Sequence, residues 1–476
     1  MEDRTALHLH DAEVNGRLVD VEIRRGVVAR VAAGLRSTGR AEAIDCEGGA
    51  LLPGLQDHHL HLLSMAAEMS SVKVGPAQVR DAAGLARSLR SAARLVVDGE
   101  WVRATGYHES VAGELDRWVL DRMVPEVPLR VQHRSGAMWV LNSAAAVAIS
   151  LDEALIEGVD RDASGTATGR LVRADEWLRC RIDAIRGPRT GVDLARVGAL
   201  LASYGVTGVT DATPFDELGG FELLAASATT GDLPQRVVVT GSAILAESGV
   251  PPPLEQGPVK LVVSDHALGP IDELVASTKR AHHAGRAVAV HCVTNAATVL
   301  ALTALRQAGA RPGDRIEHGS VITHETMAII AELGCTVVTQ PSFVYERGDD
   351  YLAEVEAADR PHLYRCASLA RAGIAVAGGT DAPFADPDPW LAIRAAVDRR
   401  TRSGALVGPD ERITATEAVG LFSSPIDRPG GPPMRIEPGA AADLCLLRLP
   451  LADALETPSS DNVKMTFRQG SPIYER

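Results

Sequence analysis

The sequence reads LLPGLQDHHLHL over residues 51–62, and this run predicts a buried strand that ends in a His-x-His pair. Side chains alternate between the two faces of a strand, so His59 and His61 point to the same face. Two imidazoles on one face can share a divalent cation. The spacing alone does not establish a metal site, because His8 and His10 repeat it near the N-terminus without evident partners.

Composition excludes several classes of protein. The chain has 476 residues, of which 46% are hydrophobic, enough for one large α/β barrel with a small appended domain. Lys and Arg number 48 against 62 Asp and Glu, a net charge of −14, and no basic run occurs. We therefore expect a small-molecule substrate, with no nucleic-acid or membrane partner. Six scattered cysteines and the lack of a long apolar run favour a cytoplasmic location.

Apolar segments alternate with amphipathic segments of helical length along most of the chain. They predict eight strands, at 51–61, 206–212, 236–242, 259–264, 287–291, 315–318, 336–340 and 374–381. Eight β/α repeats predict a closed (β/α)8 TIM barrel, whose active site lies at the C-terminal ends of the strands. An open doubly wound sheet is the alternative fold, but it needs a Gly-rich phosphate loop where Gly54 stands alone.

The two ends of the chain differ from the middle. Short runs of alternating polarity at 1–50 and 430–476 predict one small β-sandwich built from both termini. The hydrolase barrel then occupies 51–429. Within it, 63–200 is too long for one helical connection and is interpreted as a lid inserted after the first barrel strand, with a separate structural domain as the alternative.

Four further residues have the chemistry of metal ligands. His291, His318 and Asp381 each end a predicted strand. Lys260 lies inside a strand, where an unpaired ammonium is costly, but a neutral amine can react with carbon dioxide to form a carbamate that bridges two cations. Only four lysines occur in the chain, which makes this position notable; the alternative is an ion pair with Asp211 or Asp265.

These residues belong to motifs that together resemble the amidohydrolase superfamily, and more narrowly its amidohydrolase 3 branch, the YtcJ-like proteins. The motifs are PGLQDHHLH at 53–61, VH at 290–291, IEHG at 316–319, GTDAP at 379–383 and IEPGAAADL at 436–444. That branch has a long insertion after the first barrel strand. The chain departs from the branch at 135–137, at 265–266 and at Arg173, which leaves the metal set intact but removes support for any particular substrate.

The resemblance implies a role for each candidate ligand. His59 and His61 would bind one cation, and His291 and His318 a second. Carboxylated Lys260 would bridge the two cations, while Asp381 would ligate metal and shuttle protons. These donors suit Zn²⁺, with Mn²⁺ or Fe²⁺ as alternatives and one or two ions per chain. The resemblance is also compatible with a homodimer.

The expected chemistry is hydrolysis of a C–N bond by metal-activated water. The bond would belong to an amide, N-acyl amine, formamide or cyclic amide. One alternative is a mononuclear deaminase of an amino-substituted ring, in which Lys260 is structural. Another is a non-catalytic metal-binding relative, which is disfavoured because His291, His318 and Asp381 are all present.

Candidate substrate contacts lie in the insertion and in the loops that follow the strands. Aromatic residues make up only 4% of the chain, so aromatics near the expected barrel mouth are candidates for a pocket wall. His108 and His266 are candidates for polar contacts. The full set is Tyr107, His108, Trp139, Asn142, His266, Phe343 and Tyr345, each with simple packing as its alternative role.

Overall fold

The structure, a computed structural model, describes residues 6–36, 42–96, 100–186, 193–263 and 268–476. The chain divides into two compact units. One consists of Met1–Leu63 together with Leu194–Arg476, and the other is Ser64–Asp193.

Two parallel sheets form the centre of the first unit. The first sheet has the strand order Glu255–Gln256, Arg236–Val239, Val206–Asp211, Leu55–Leu60. The second has the order Val259–Val262, Val288–Cys292, Arg315–His318, Thr336–Thr339, Val376–Gly378. All eight segments predicted as barrel strands are therefore strands, and Glu255–Gln256 is an additional short one.

Most residues of these strands are buried because both of their faces are covered, as is typical of parallel sheets. Val259, Val288, Ile316 and Val337 are completely buried in one cluster with helix residues such as Leu305. Burial of this kind supplies most of the stabilisation of such a core.

Helices follow most of the strands of the first unit. Several begin with a side-chain cap; the Thr294 and Thr323 hydroxyls, for example, accept hydrogen bonds from backbone N–H groups three residues later. The helices of this unit are Leu194–Ser203, Gly219–Thr230, Ile271–His283, Asn295–Ala308, His324–Leu333, Ser342–Glu354, Ala367–Arg371, Pro389–Asp398, Ala415–Gly420 and Leu451–Glu456. The helix Leu62–Met69 begins in this unit, directly after the first barrel strand.

Backbone hydrogen bonds connect the two parallel sheets. Asp381 N donates to His59 O over 2.7 Å, and Lys260 N donates to Gly241 O over 2.8 Å. Within the described part of the chain the strands pair as two sheets and not as one closed ring. The fold is thus of the α/β class, while the closed eight-stranded barrel stays a prediction.

Two antiparallel-rich sheets contain the ends of the chain. One has the order Val27–Ala32, Arg17–Arg24, Leu7–Val14, Glu42–Asp45, and the other has the order Ser471–Glu475, Val463–Arg468, Leu444–Leu447, Leu51–Pro53. Leu51 pairs with Leu446, so the two ends of the chain share a sheet. Leu9 and Phe467, one from each sheet, lie in the same apolar cluster. The sandwich arrangement itself stays a prediction.

The second unit has a six-stranded mixed sheet of its own. Its strand order is Val159–Arg161, Ala167–Val172, Met138–Leu141, Leu129–His133, Val102–Tyr107, Val72–Lys73. Its helices are Ala82–Ala93, Glu109–Ala112, Arg117–Asp121, Ser143–Ala148 and Asp175–Arg186. Two apolar clusters, which include Leu129 and Leu171, give the unit its own core. Among the described helices of either unit, none is long and apolar enough to cross a membrane.

Candidate metal centre

The strand Leu55–Leu60 and the residue that follows it place two histidines beside Asp381. Every residue of Leu55–Leu60 is buried. His59 Nε2 lies 3.6 Å from Asp381 Oδ1, and His61 Nε2 lies 3.3 Å from the same oxygen. One ligand atom from each of these three residues lies within 4.8 Å of those of the other two. The His-x-His pair therefore has a carboxylate partner, as the sequence predicted.

Gly379 allows Asp381 to reach this position. A Cβ atom at Gly379 would lie 2.6 Å from His59 Cβ and 2.9 Å from His59 N, so a larger residue would separate the two segments. The buried Asp57 carboxylate then holds Thr380, accepting from its N–H (3.1 Å) and from its hydroxyl (2.6 Å). The segment that carries Asp381 is thereby fixed against the first strand.

Two of the candidate ligands have unusual backbone conformations. His318 and Asp381 have φ values of 66° and 58°. Left-handed conformations are uncommon for residues other than glycine and cluster at functional sites, where surrounding contacts maintain them. His318 is the last residue of its strand, and Asp381 lies three residues beyond the end of the strand Val376–Gly378, so the backbone turns where each side chain enters the site.

The Nδ1 atoms of three histidines are occupied by other side chains. His59 Nδ1 contacts Glu317, whose other oxygen lies 2.5 Å from Arg315 Nε. His61 Nδ1 lies 2.9 Å from the Thr213 hydroxyl. His318 Nδ1 lies 2.9 Å from Gln340 Oε1. Such partners fix the orientation of the rings. The Glu317 and Gln340 oxygens can only accept, so they place the proton of His59 and His318 on Nδ1 and leave Nε2 available as a ligand.

The other predicted ligands are adjacent to the group formed by His59, His61 and Asp381. The His318 ring centroid lies 4.7 Å from that of His59 and 4.5 Å from that of His291. Lys260 is buried, and its Nζ lies 3.5 Å from His59 Nε2. Thus all six residues predicted from the sequence meet in one region of the first unit.

Lys260 has no carboxylate within 4.0 Å among the described residues. Asp211, one predicted alternative partner, instead accepts hydrogen bonds from the backbone N–H groups of Leu62 and Thr213. Asp265, the other, lies outside the described residues. The ion pair with Asp211 is therefore not formed.

Burial determines the protonation of this region. It lowers the pKa of His318 to about 3 and that of His291 to about 4, and with the charge of Lys260 it holds the pKa of His59 well below 6.5. Burial likewise lowers the pKa of the Lys260 ammonium. For Asp381, burial acts to raise the pKa, but contact with His61 and proximity to His318 outweigh it and leave the pKa below its usual value. At neutral pH the rings of His59, His291 and His318 are therefore neutral and Asp381 is ionised.

This arrangement fits a divalent cation. Neutral imidazole nitrogens and a carboxylate are the donors that Zn²⁺ and similar ions take. Asp381 Oδ1 is buried and has no hydrogen-bond partner among the described residues, a costly state for a charged oxygen that a cation would relieve. The residues present are therefore compatible with the metal that the sequence predicts.

Four of the predicted substrate contacts lie in the second unit, where each has a local role. Tyr107 donates from its hydroxyl to Gly113 O, and His108 caps the helix Glu109–Ala112. Trp139 Nε1 donates to Asp175 over 2.6 Å. Asn142 is completely buried and bonds four backbone groups, those of Leu129, Ala145, Val124 and Val127. Their substrate-binding role stays a prediction.

The remaining predicted contacts lie in the first unit. Phe343 is buried in the helix Ser342–Glu354, and Tyr345 of the same helix packs under the Arg402 guanidinium. His266 lies outside the described residues. The role of these residues in substrate binding also stays a prediction.

Sequence reasoning missed several residues that shape the site. Glu317 and Thr213 support the histidines, and Phe384 packs its ring edge-on against His61 at a centroid distance of 5.5 Å. A signal for Glu317 existed, because a carboxylate inside an apolar strand and next to a predicted ligand needs a polar partner. Thr213 and Phe384 lie in loops and carry no such signal.

Comparisons with known proteins show the family to which the sequence is related. The model of the amidohydrolase family matches residues 42–474. The chain is similar to an N-substituted formamide deformylase of Arthrobacter pascens, with 26% identity over 92% of this chain and 90% of the relative. It is also similar to YtcJ of Bacillus subtilis (strain 168), with 24% identity over 80% of each chain. These findings confirm the resemblance inferred from the sequence motifs.

A solved structure shares the fold. An uncharacterized metal-dependent hydrolase from Pyrococcus horikoshii OT3 superposes with a TM-score of 0.76 at 19% identity, covering 94% of this chain and 98% of the other. The α/β fold described above is thus found in a known protein.

We expect the metal-free protein to lose stability as the pH falls from about 7 to about 4. The folded pKa values of His291 and His318, about 4 and about 3, lie below the ordinary 6.5, so in this range the unfolded chain binds protons that the folded chain does not. The free energy of unfolding should fall by up to about 1.4 kcal/mol per pH unit for each histidine, as measured by chemical denaturation. The dependence of the unfolding free energy on pH should become weaker in the H291N/H318N variant. It should not change in H283N, which alters an exposed histidine. An unchanged pH dependence in the double variant would contradict the low pKa values of His291 and His318.

Glu317→Gln should weaken zinc binding by about 10- to 100-fold, because the carboxylate that orients His59 is lost. Competition with a chromogenic chelator measures the affinity. Glu411→Gln is a matched control, since Glu411 is a buried carboxylate that bonds Arg365 and contacts none of the predicted ligands. Equal zinc affinity in the Glu317 and Glu411 variants would show that Glu317 does not support the metal site.

Proposed function

The chain belongs to the amidohydrolase family, and we propose that it is a metal-dependent hydrolase that cleaves a C–N bond of a small molecule by metal-activated water. The bond is that of an amide, N-acyl amine, formamide or cyclic amide. One observation carries the proposal: His59, His61 and Asp381 converge, and within the described part of the chain the buried Asp381 Oδ1 has no hydrogen-bond partner. The six cysteines are free thiols, which supports a cytoplasmic location.

The proposed ligands of the first cation are Nε2 of His59, Nε2 of His61 and a carboxylate oxygen of Asp381. Zn²⁺ is the proposed ion, with Mn²⁺ or Fe²⁺ as alternatives, because these metals accept nitrogen and oxygen donors together. A bound ion of this kind polarises a carbonyl group and lowers the pKa of water. The low pKa values of the buried histidines keep the donor lone pairs free of protons.

Asp381 is the proposed proton carrier. It is ionised at neutral pH, so a carboxylate oxygen can accept the proton of the attacking water and then deliver it to the leaving nitrogen. The hydrogen bond from its backbone N–H to His59 O and the fixed segment at Thr380 hold the carboxylate in position. Positioning of this kind lowers the entropic part of the barrier.

Lys260, His291 and His318 are the proposed ligands of a second cation, with Lys260 carboxylated. The Lys260 amine is buried beside His59 Nε2 and has no carboxylate partner within 4.0 Å among the described residues. A carbamate on this amine would add a negatively charged ligand to the two neutral imidazoles of His291 and His318. Nε2 of His318 is available because Gln340 occupies Nδ1.

The proposed substrate class is the small N-substituted amides, including formamides. The relative from Arthrobacter pascens, an N-substituted formamide deformylase, supports this class through similarity along nearly the whole chain. The net charge of −14 supports a small molecule over an anionic polymer.

A mononuclear deaminase is the second candidate. The observation in its favour is that, of the predicted histidine and aspartate ligands, all of which are described, His59, His61 and Asp381 form the group whose ligand atoms all lie within 4.8 Å of one another. In that case Lys260 is structural, and the reaction releases ammonia from a ring without forming a new carboxylate. Parallel assays for ammonia and for carboxylate, each with metal content per chain, separate the two candidates.

Asp381→Asn should retain at least one cation through His59 and His61 and yet lose turnover by about 10²- to 10⁴-fold, because the amide accepts no proton. The measurements are kcat with an N-substituted formamide and metal content by mass spectrometry. Asp388→Asn is the matched control: Asp388 lies in the same loop region but caps the helix Pro389–Asp398, a role that asparagine also fills. Near-normal turnover in the Asp381 variant would refute its role as proton carrier.

A further inference from the structure

The helix Ser342–Glu354 starts at the edge of the metal centre. It begins two residues after Gln340, whose side chain bonds His318. Phe343 and Arg347 are four residues apart on this helix and therefore share a face. The Arg347 guanidinium carbon lies 4.5 Å from the centroid of the Phe343 ring. This stacked arrangement holds the guanidinium in place.

Arg347 also contacts the loop that follows Asp381. Its Nη2 donates to Phe384 O over 2.8 Å. The ring of Phe384 lies edge-on against His61, and Phe384 N donates to Asp381 O over 2.8 Å. The guanidinium is thus connected to two of the proposed cation ligands through a single residue.

The charge of Arg347 is not neutralised by a carboxylate. No carboxylate oxygen of the described residues lies within 4.0 Å of its guanidinium. The nearest acidic residue in sequence, Glu346, accepts from Asp386 N and lies 3.5 Å from Arg402, while Asp349 bonds Thr401 and Ser403. An arginine has five N–H donors, and the structure gives Arg347 one hydrogen bond.

Phe384 presents apolar surface next to the Arg347 guanidinium. Its side chain is 49% exposed although it packs on His61. A half-exposed aromatic ring that touches a proposed ligand is suited to contact an apolar substrate group. The charged Arg347 guanidinium and the apolar Phe384 ring therefore lie next to each other at one edge of the candidate metal centre.

We infer that Arg347 binds a carboxylate of the substrate and that Phe384 contacts an apolar group of the same molecule. The substrate is then an N-acyl or N-formyl amino acid with an apolar side chain. This inference rests on the proposed function and narrows it from small amides in general to amides that carry an anion. A planar guanidinium is matched to a carboxylate by two parallel hydrogen bonds, and an apolar ring beside it limits competition from water.

Two compounds that differ in one group test the inference: N-formylphenylalanine and its neutral counterpart N-formylphenylalaninamide. Calorimetry with the zinc-loaded protein measures their binding, and deformylation assays measure KM and kcat. The acid should bind about 10- to 100-fold more tightly than the amide, the range expected for a charge-assisted pair. In Arg347→Gln this preference should disappear, with KM for the acid raised, kcat nearly unchanged and the amide unaffected.

Arg402→Gln is the matched control. Arg402 also stacks on an aromatic ring, that of Tyr345 at 5.7 Å, but it has Glu346 as an acidic neighbour. This variant should keep the preference for the acid, and Arg347→Lys should keep part of it. No binding of the acid, no preference for it in the unaltered protein, or an equal preference in Arg347→Gln would each overturn the inference. Preferential binding without deformylation would instead count against the proposed function and leave the anion site supported.

Discussion

The contact between the first and last strands of the parallel core is the constraint on which the candidate site depends. The hydrogen bond from the Thr380 hydroxyl to the Asp57 carboxylate joins residues 323 positions apart in sequence. It fits only because Gly379 has no side chain, as a Cβ there would collide with His59. The metal candidates therefore form a site only after the strands between them have folded and packed.

Once the strands are in place, neighbouring side chains orient the histidines of the site. Glu317, Thr213 and Gln340 occupy the Nδ1 atoms of three histidines, and Arg315 pairs with Glu317. Burial of polar groups is tolerated when their hydrogen bonds are made, so the buried Asp381 Oδ1, which has no hydrogen-bond partner among the described residues, marks a position where a cation would be favourable. Burial keeps His59, His291 and His318 neutral, and contacts with His61 and His318 keep Asp381 ionised.

The sequence predicted the strands and the six candidate ligands because both leave local signals: apolar runs bounded by polar residues, and a histidine or aspartate at a strand end. The His-x-His spacing alone does not identify the buried site, because His10 has the same pattern as His61. His10 lies in a group with the exposed carboxylates of Asp11 and Asp45. Contacts between loops, such as Thr213 with His61 or Arg347 with Phe384, depend on the packing of distant segments and leave no periodic pattern. The insertion at 63–200 was predicted from its length alone, and the mixed sheet within this segment was not predicted.

Anomalous scattering from crystals of the zinc-loaded protein tests the central claim most directly. The account predicts a zinc peak about 2.0 to 2.2 Å from Nε2 of His59 and of His61, with Asp381 as a further ligand. A protein whose only bound zinc lies elsewhere, for example at His10, would contradict the assignment of the centre and, with it, the proposed reaction.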